Sequence, residues 1–147
     1  MNPKITLDSQ PYDDFNYYVP REIVDAPLYK KLSKKAVFAY TFIRGIFVEH
    51  LLKISNGDTK NFLDEYLFNL KTGGEPFIIR EDEELSISLH FSIPEVIEVK
   101  NELKKYGLIK EVLRGAGLPN LIYVYDIDDR PEVLQMTFEE AKSKGLV

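Results

Sequence analysis

Cysteine is absent from this sequence, which removes disulfides, zinc–thiolate sites and thiol nucleophiles at once. Tryptophan is absent as well, and histidine occurs only as His50 and His90. The two histidines are distant in sequence, and neither has a nucleophile or ligand motif beside it. No apolar run reaches the ~20 residues that cross a bilayer, and the opening MNPKITLDSQ lacks the apolar core of a signal peptide. The expected setting is therefore the cytoplasm, with no membrane partner. A general basic excess is also missing: the net charge is −5, the wrong sign for an indiscriminate nucleic-acid binder. Internal repeats, low-complexity tracts and linkers are not seen. What remains is a chain of 147 residues, 44% of them hydrophobic, enough for one domain with its own core.

The charge is uneven. Val99 to Val124 holds Lys100, Lys104, Lys105, Lys110 and Arg114 against only Glu102 and Glu111. Leu28 to Ala36 holds Lys30, Lys31, Lys34 and Lys35 and no acid. Acids gather instead at Glu81–Glu84, at Asp126–Asp129 and near the N-terminus. A basic face on an acidic molecule can bind DNA, with less sequence-blind affinity than a uniformly basic surface.

Hydrophobic spacing predicts the elements. Phe15 to Val19 reads as a short aromatic strand closed by Pro20. Ser33 is placed to cap a long helix in which Ala36, Tyr40, Ile43, Phe47 and Leu51 step by three or four residues. Val37, Phe38, Phe42 and Ile46 add apolar faces, which fits a central helix or one buried in a partner subunit. Asp58 or Thr59 caps a second helix with a stripe of Phe62, Leu63, Tyr66, Leu67 and Leu70. A turn at Thr72–Pro76 leads to a short strand at Phe77–Ile79. Glu83 to Phe91 alternates like a strand, yet its leading acids suit a helix N-terminus, and helix is the reading adopted. Ser92 caps the next helix, with Pro94 tolerated in its first turn. Val96, Val99, Leu103 and Tyr106 form its buried stripe, and Gly107 stops it. Leu108-Ile109 and Leu121–Val124 then flank a Gly-tipped hairpin. A last short helix is expected over Thr137–Gly145.

A helix running into such a hairpin is how a winged helix ends, and winged helices place that helix in a DNA groove. The expected fold is α+β: a winged helix, that is a helix-turn-helix with a β-hairpin wing, with an extra N-terminal strand and an inserted helix. It forms one domain over 1–147, with a core at about 15–125 and an acidic C-terminal extension at 126–147.

Particular pieces also carry a resemblance. FNYYVPREI (15–23), Tyr29, LSKKA (32–36), Tyr40, EEL (83–85), NELKKYGLI (101–109) and RGAGLPNLIYV (114–124) recur in this order and spacing. Together they resemble the N-terminal domain of RepA-type replication initiators from plasmids of Gram-positive bacteria. The resemblance implies a winged helix, sequence-specific binding to origin repeats in double-stranded DNA, dimerisation, and recruitment of host replication proteins without catalysis. Departures from the family pattern include Val37, Glu95 and Glu98, where lysines are common.

On these grounds the candidate DNA contacts are Ser92, Glu98, Asn101, Lys104 and Lys105 on the last long helix, opposite its buried stripe. Asn101 could read adenine, and Glu98 could accept from a cytosine amino group. Lys104 and Lys105 would hold phosphates, and Ser92 could meet one at the helix start. On the wing the candidates are Lys110, Arg114 and Asn120. Lys34 and Lys35 are added because lysines at a helix start oppose its dipole and need another purpose. Against each stands an ordinary solvated charge. No catalytic residue, cofactor site or metal site is expected. Gly115-Ala116-Gly117 lacks the Lys-Ser/Thr of a P-loop. Asp126, Asp128 and Asp129 lack the remaining ligands of a calcium loop and read as a solvated acidic turn. The rival expectation is a stand-alone acidic protein-interaction module or inhibitor from a mobile element, on the same fold and not binding DNA.

Overall fold

The protein is seen in a computed structural model that describes residues 2–6, 15–55 and 75–147. The elements run α1 (Arg21–Asp25), a 3-10 turn (Pro27–Tyr29), α2 (Lys34–Ser55), α3 (Asp82–Leu89), α4 (Ile93–Lys105), β1 (Ile109–Val112), β2 (Leu121–Val124), α5 (Pro131–Leu134) and α6 (Phe138–Ser143). The expected helix over 58–70 lies outside the described residues, as does most of the turn before Glu75.

The expected N-terminal strand does not form. Residues 15–19 are exposed and do not take strand conformation, and Pro20 opens α1 instead of closing a strand. One of their aromatic side chains, Tyr17, finds a helix surface in place of a sheet. The Tyr17 ring stacks 5.6 Å from that of Phe42 and lies directly over Gly45. A Cβ on Gly45 would come within 2.5 Å of Tyr17 Cδ1, so only glycine admits this approach.

α2 starts where the Ser33 hydroxyl accepts from the Ala36 amide at 3.1 Å. Ala36, Ala39, Tyr40, Ile43 and Phe47 bury one side of it, and Ile46, Val48 and even Arg44 are also covered. α2 is thus the central helix, packed against α4, with Phe38 its exposed apolar residue. The Tyr40 hydroxyl crosses to the β2 side and donates to the Tyr125 carbonyl at 2.8 Å.

The helical reading of Glu83–Phe91 is right in kind. Glu81 and Glu84 close a capping box on α3, and Leu85 and Leu89 are its buried residues. The alternation of Leu85, Ile87, Leu89 and Phe91 is coincidental, and Ile87 simply faces solvent. α3 ends at His90, whose left-handed backbone (φ 59°) makes the sharp turn into Ser92. α4 buries Val96, Val99 and Leu103, and Tyr106 follows at its C-cap. Burying a side chain such as Leu103 is worth roughly 1.5–3 kcal/mol. Gly107, at φ +68°, then turns the chain into β1.

β1 and β2 are antiparallel, pairing Ile109 with Val124 and Val112 with Leu121. The strand expected at Phe77–Ile79 is reduced to one bridge, in which Ile78 and Ile122 exchange two bonds of 2.9 Å. The N-terminal residues reach the sheet's other end, where Lys4 bridges to Tyr125 and the Asp126 amide donates to Pro3 O at 2.8 Å.

Residues beyond Asp126 pack on the core. Ile127, Val133 and Ala141 are buried in it, and both C-terminal helices touch the 3-10 turn. Thr137 caps α6 through the Glu140 amide, and the acidic stretch holds one further helix, α5, that was not expected. The turn at Asp126–Asp129 is not the solvated one expected. Asp128 is buried and clasped by Arg130 at 2.6 Å, and Asp126 faces buried Arg44 at 3.4 Å.

Candidate nucleic-acid interface

Helical geometry places Ile97, Glu98, Asn101 and Lys105 on the side of α4 away from the core, and all four are exposed. This face is continuous with the start of α4, where Ser92 is already engaged. Its hydroxyl accepts from the Glu95 amide at 3.2 Å, and the Glu95 carboxylate accepts from the Ser92 amide at 3.1 Å. The capping box therefore uses part of the helix end that a phosphate would need. Glu95 also pairs with Lys35 of α2. That hydrogen bond and the Ser92 donors push its carboxyl down to about 2. Glu95 and Lys35 thus pair with each other at the surface between α2 and α4. The Ser-x-x-Glu spacing of Ser92 and Glu95 was present in the sequence to show this.

Lys104 is engaged too. Its Nζ lies 2.7 Å from Glu111 on β1, and the same carboxylate takes Lys100 at 2.5 Å and Asn120 at 3.3 Å. Lys100 also reaches Asp82 on α3, at 2.6 Å. The Lys100 and Glu111 side chains are only 6% and 5% exposed, whereas that of Lys104 is 36% exposed. Burial disfavours the charge on Lys100, but hydrogen bonds to Asp82 and Glu111 outweigh it, and its pKa is raised. Burial likewise opposes ionised Glu111, and the bonds from Lys100 and Lys104 reverse that, so its pKa is lowered. This network joins α3, α4 and both sides of the wing. Sequence reasoning missed it. The available signal was that Lys100, four residues after Val96, falls on the buried stripe.

The wing is built by its glycines. Gly115 (φ +93°) and Gly117 (φ +81°) take backbone that other residues rarely adopt, with Leu118 N donating to Gly115 O across the tip. Arg114 folds its Nε onto the Pro119 carbonyl at 2.8 Å, bracing the tip from within. Lys110 is exposed, its Nζ 5.8 Å above the Tyr123 ring. Leu113 and Leu118 stand exposed on either side of the tip.

Near α2, the four lysines divide. Lys31 pairs with Glu139 at 2.7 Å and Lys35 with Glu95. Lys30 and Lys34 are exposed and have no ion pair among the described residues. The same is true of Lys105. Another unforeseen contact ties α2 to α4: Glu102 accepts from the Ser33 amide at 3.0 Å and from its hydroxyl at 2.7 Å. The structure thus brings Glu98, Asn101 and Lys105 together as an open polar face. Lys35, Lys104 and Asn120 are bound into internal contacts. Among the described residues no group of His, Asp and Glu is arranged to hold a metal, and no helix is long and apolar enough to cross a membrane.

The family of replication initiator protein A (RepA) N-termini matches residues 15–138. No curated protein sequence matches the chain. Three solved structures share its fold at low identity. One, an "N-Terminal domain of DNA binding protein", is 20% identical with a TM-score of 0.61, covering 95% of this chain and 98% of the other. A second, a "Rep-DNA complex", is 21% identical with a TM-score of 0.62, covering 91% and 90%. A third, an "MDR initiator", is 24% identical with a TM-score of 0.59, covering 89% and 90%.

Proposed function

This chain belongs to the family of replication initiator protein A N-termini, and we propose that it is the DNA-binding domain of a plasmid replication initiator. It binds double-stranded origin repeats in the cytoplasm, pairs as a homodimer, and recruits host replication proteins. Its part is binding, without catalysis of its own. The observation that carries this reading is the exposed polar face of α4, set beside a braced, Gly-tipped wing. A helix in this position enters the major groove, where Asn101 would read adenine and Glu98 a cytosine amino group. Lys105 and Lys34, which carry no internal ion pair, supply backbone contacts, and Lys110, Arg114 and Leu118 of the wing approach the adjacent groove. Ser92 contributes by fixing the start of α4, since its hydroxyl and its amide are both engaged with Glu95.

The net charge of −5 and the internal pairing of Lys35 and Lys104 favour the second reading, an acidic protein-interaction module. Fluorescence anisotropy separates the two, with labelled duplexes tiled across the protein's own gene and its flanks. Submicromolar binding to one segment is expected, weakening steeply with salt. Asn101→Ala should relax its sequence preference, and Lys105→Ala should weaken binding to all duplexes alike. Failure to bind any segment at low salt would leave the protein-interaction reading in place.

A further inference from the structure

We propose that Glu111 is a specificity-determining residue that withholds the charge of Lys104 from the DNA backbone. The inference rests on the DNA-binding reading above. Lys104 lies on α4 three residues after Asn101, within the reach of a helix seated in a groove. Its Nζ sits 2.7 Å from a carboxylate that is itself 5% exposed and held in place by Lys100 at 2.5 Å and Asn120 at 3.3 Å. The backbone of Glu111 is held by the strand pairing of β1, which packs against α4, so the carboxylate is carried by a fixed element beside Lys104.

The consequence is electrostatic. A lysine in water gathers DNA phosphate by releasing counterions, whatever the sequence. A lysine paired with a fixed carboxylate presents the phosphate with a dipole instead of a charge, and little counterion release follows. Among the described residues Lys105 and Lys34 have no such partner. Glu111 therefore trims the sequence-blind part of the affinity and leaves the base-reading positions Glu98 and Asn101 untouched. An acidic protein that must find a few sites among many benefits from that ratio more than from tightness.

The test uses Glu111→Gln in the whole chain, with a labelled duplex of scrambled sequence and a salt series. The variant should bind this duplex several-fold more tightly at low salt. The slope of log K against log salt should steepen by about 0.9, the contribution of one added phosphate contact. Adding Lys104→Ala in the same background should return the slope to that of the parent. An unchanged slope in folded Glu111→Gln would overturn the proposal. If Glu111→Gln does not fold, Lys104→Ala alone decides the matter. It should leave the parental slope nearly unaltered, and a loss of about 0.9 would show that Lys104 already served the backbone. A parent chain that binds no duplex at low salt refutes the DNA-binding reading itself, and this inference with it.

Discussion

Lys100→Met removes the cation at the centre of the Asp82–Lys100–Glu111 bridge and keeps a side chain of similar length. Lys100 Nζ lies 2.6 Å from Asp82 and 2.5 Å from Glu111, from a side chain only 6% exposed. Removing one member of a buried ion pair typically costs about 3–5 kcal/mol, because the other is left charged in a poor medium. Two features lower that figure here. Glu111 retains Lys104 and Asn120, and Asp82 is partly open to water. A loss of about 2–3 kcal/mol at neutral pH is therefore expected. The pH dependence gives a second handle. The native pKa of Glu111 lies below its usual 4.5, so its ionised form stabilises the fold above that value, and the contribution is lost as pH falls through the native one. Without Lys100, burial regains weight and the Glu111 pKa rises. The gap between parent and variant should narrow in acid, where Glu111 takes up a proton. Urea denaturation followed by circular dichroism, at neutral pH and again below 4.5, measures both. Replacing both residues, as Lys100→Met with Glu111→Leu, should recover part of the loss, since the stranded carboxylate is gone. A single-variant loss under about 0.5 kcal/mol, the range of an ordinary surface change, would refute the reasoning. So would a gap that does not vary with pH.

Three other substitutions probe the framework around the interface. Ser92→Ala removes the capping hydroxyl of α4 and should cost about 1 kcal/mol in the same denaturation experiment. Gly107→Ala forces a side chain into left-handed backbone and brings a Cβ to 3.1 Å from Asn2 Nδ2. It should cost about 1–2 kcal/mol, visible as a lowered Tm, and an unchanged Tm would mean the turn relaxes freely. Tyr40→Phe deletes the hydroxyl that donates to the Tyr125 carbonyl at 2.8 Å. About 1–2 kcal/mol of stability should go with it, and equal urea midpoints for the two proteins would contradict that role.

The elements legible in the sequence were those whose signals are local. Ser33, Ser92, Thr137 and Gly107 mark helix ends by chemistry within a few residues, and the structure uses each one. The stripe of Val96, Val99 and Leu103 is equally local, since it follows from the period of the helix. What escaped depends on pairing across the chain. Phe15–Val19 has strand composition, but a strand needs an edge, and the segment meets α2 at Gly45 instead. The interface suffered in the same way. Lys35, Lys104 and Asn120 look like free contacts until Glu95 and Glu111 are brought beside them, from 60, 7 and 9 residues away. Lysines with no such neighbour, Lys34 and Lys105, cannot be told from the others by sequence.

The joining of the chain's early and late residues bears on its synthesis. Asn2 donates to Tyr106 O, Pro3 accepts from the Asp126 amide, and the 3-10 turn at Pro27–Tyr29 is covered by α5 and α6. As the chain leaves the ribosome, Ile5, Leu28 and Tyr29 emerge long before the residues that cover them. Helices α2 to α4 and the wing can meet in sequence order, but the 3-10 turn stays uncovered until α5 and α6 are free. Over that interval the nascent domain carries α4 and the wing and still exposes part of its core, the stage at which chaperone binding or misassembly competes with completion.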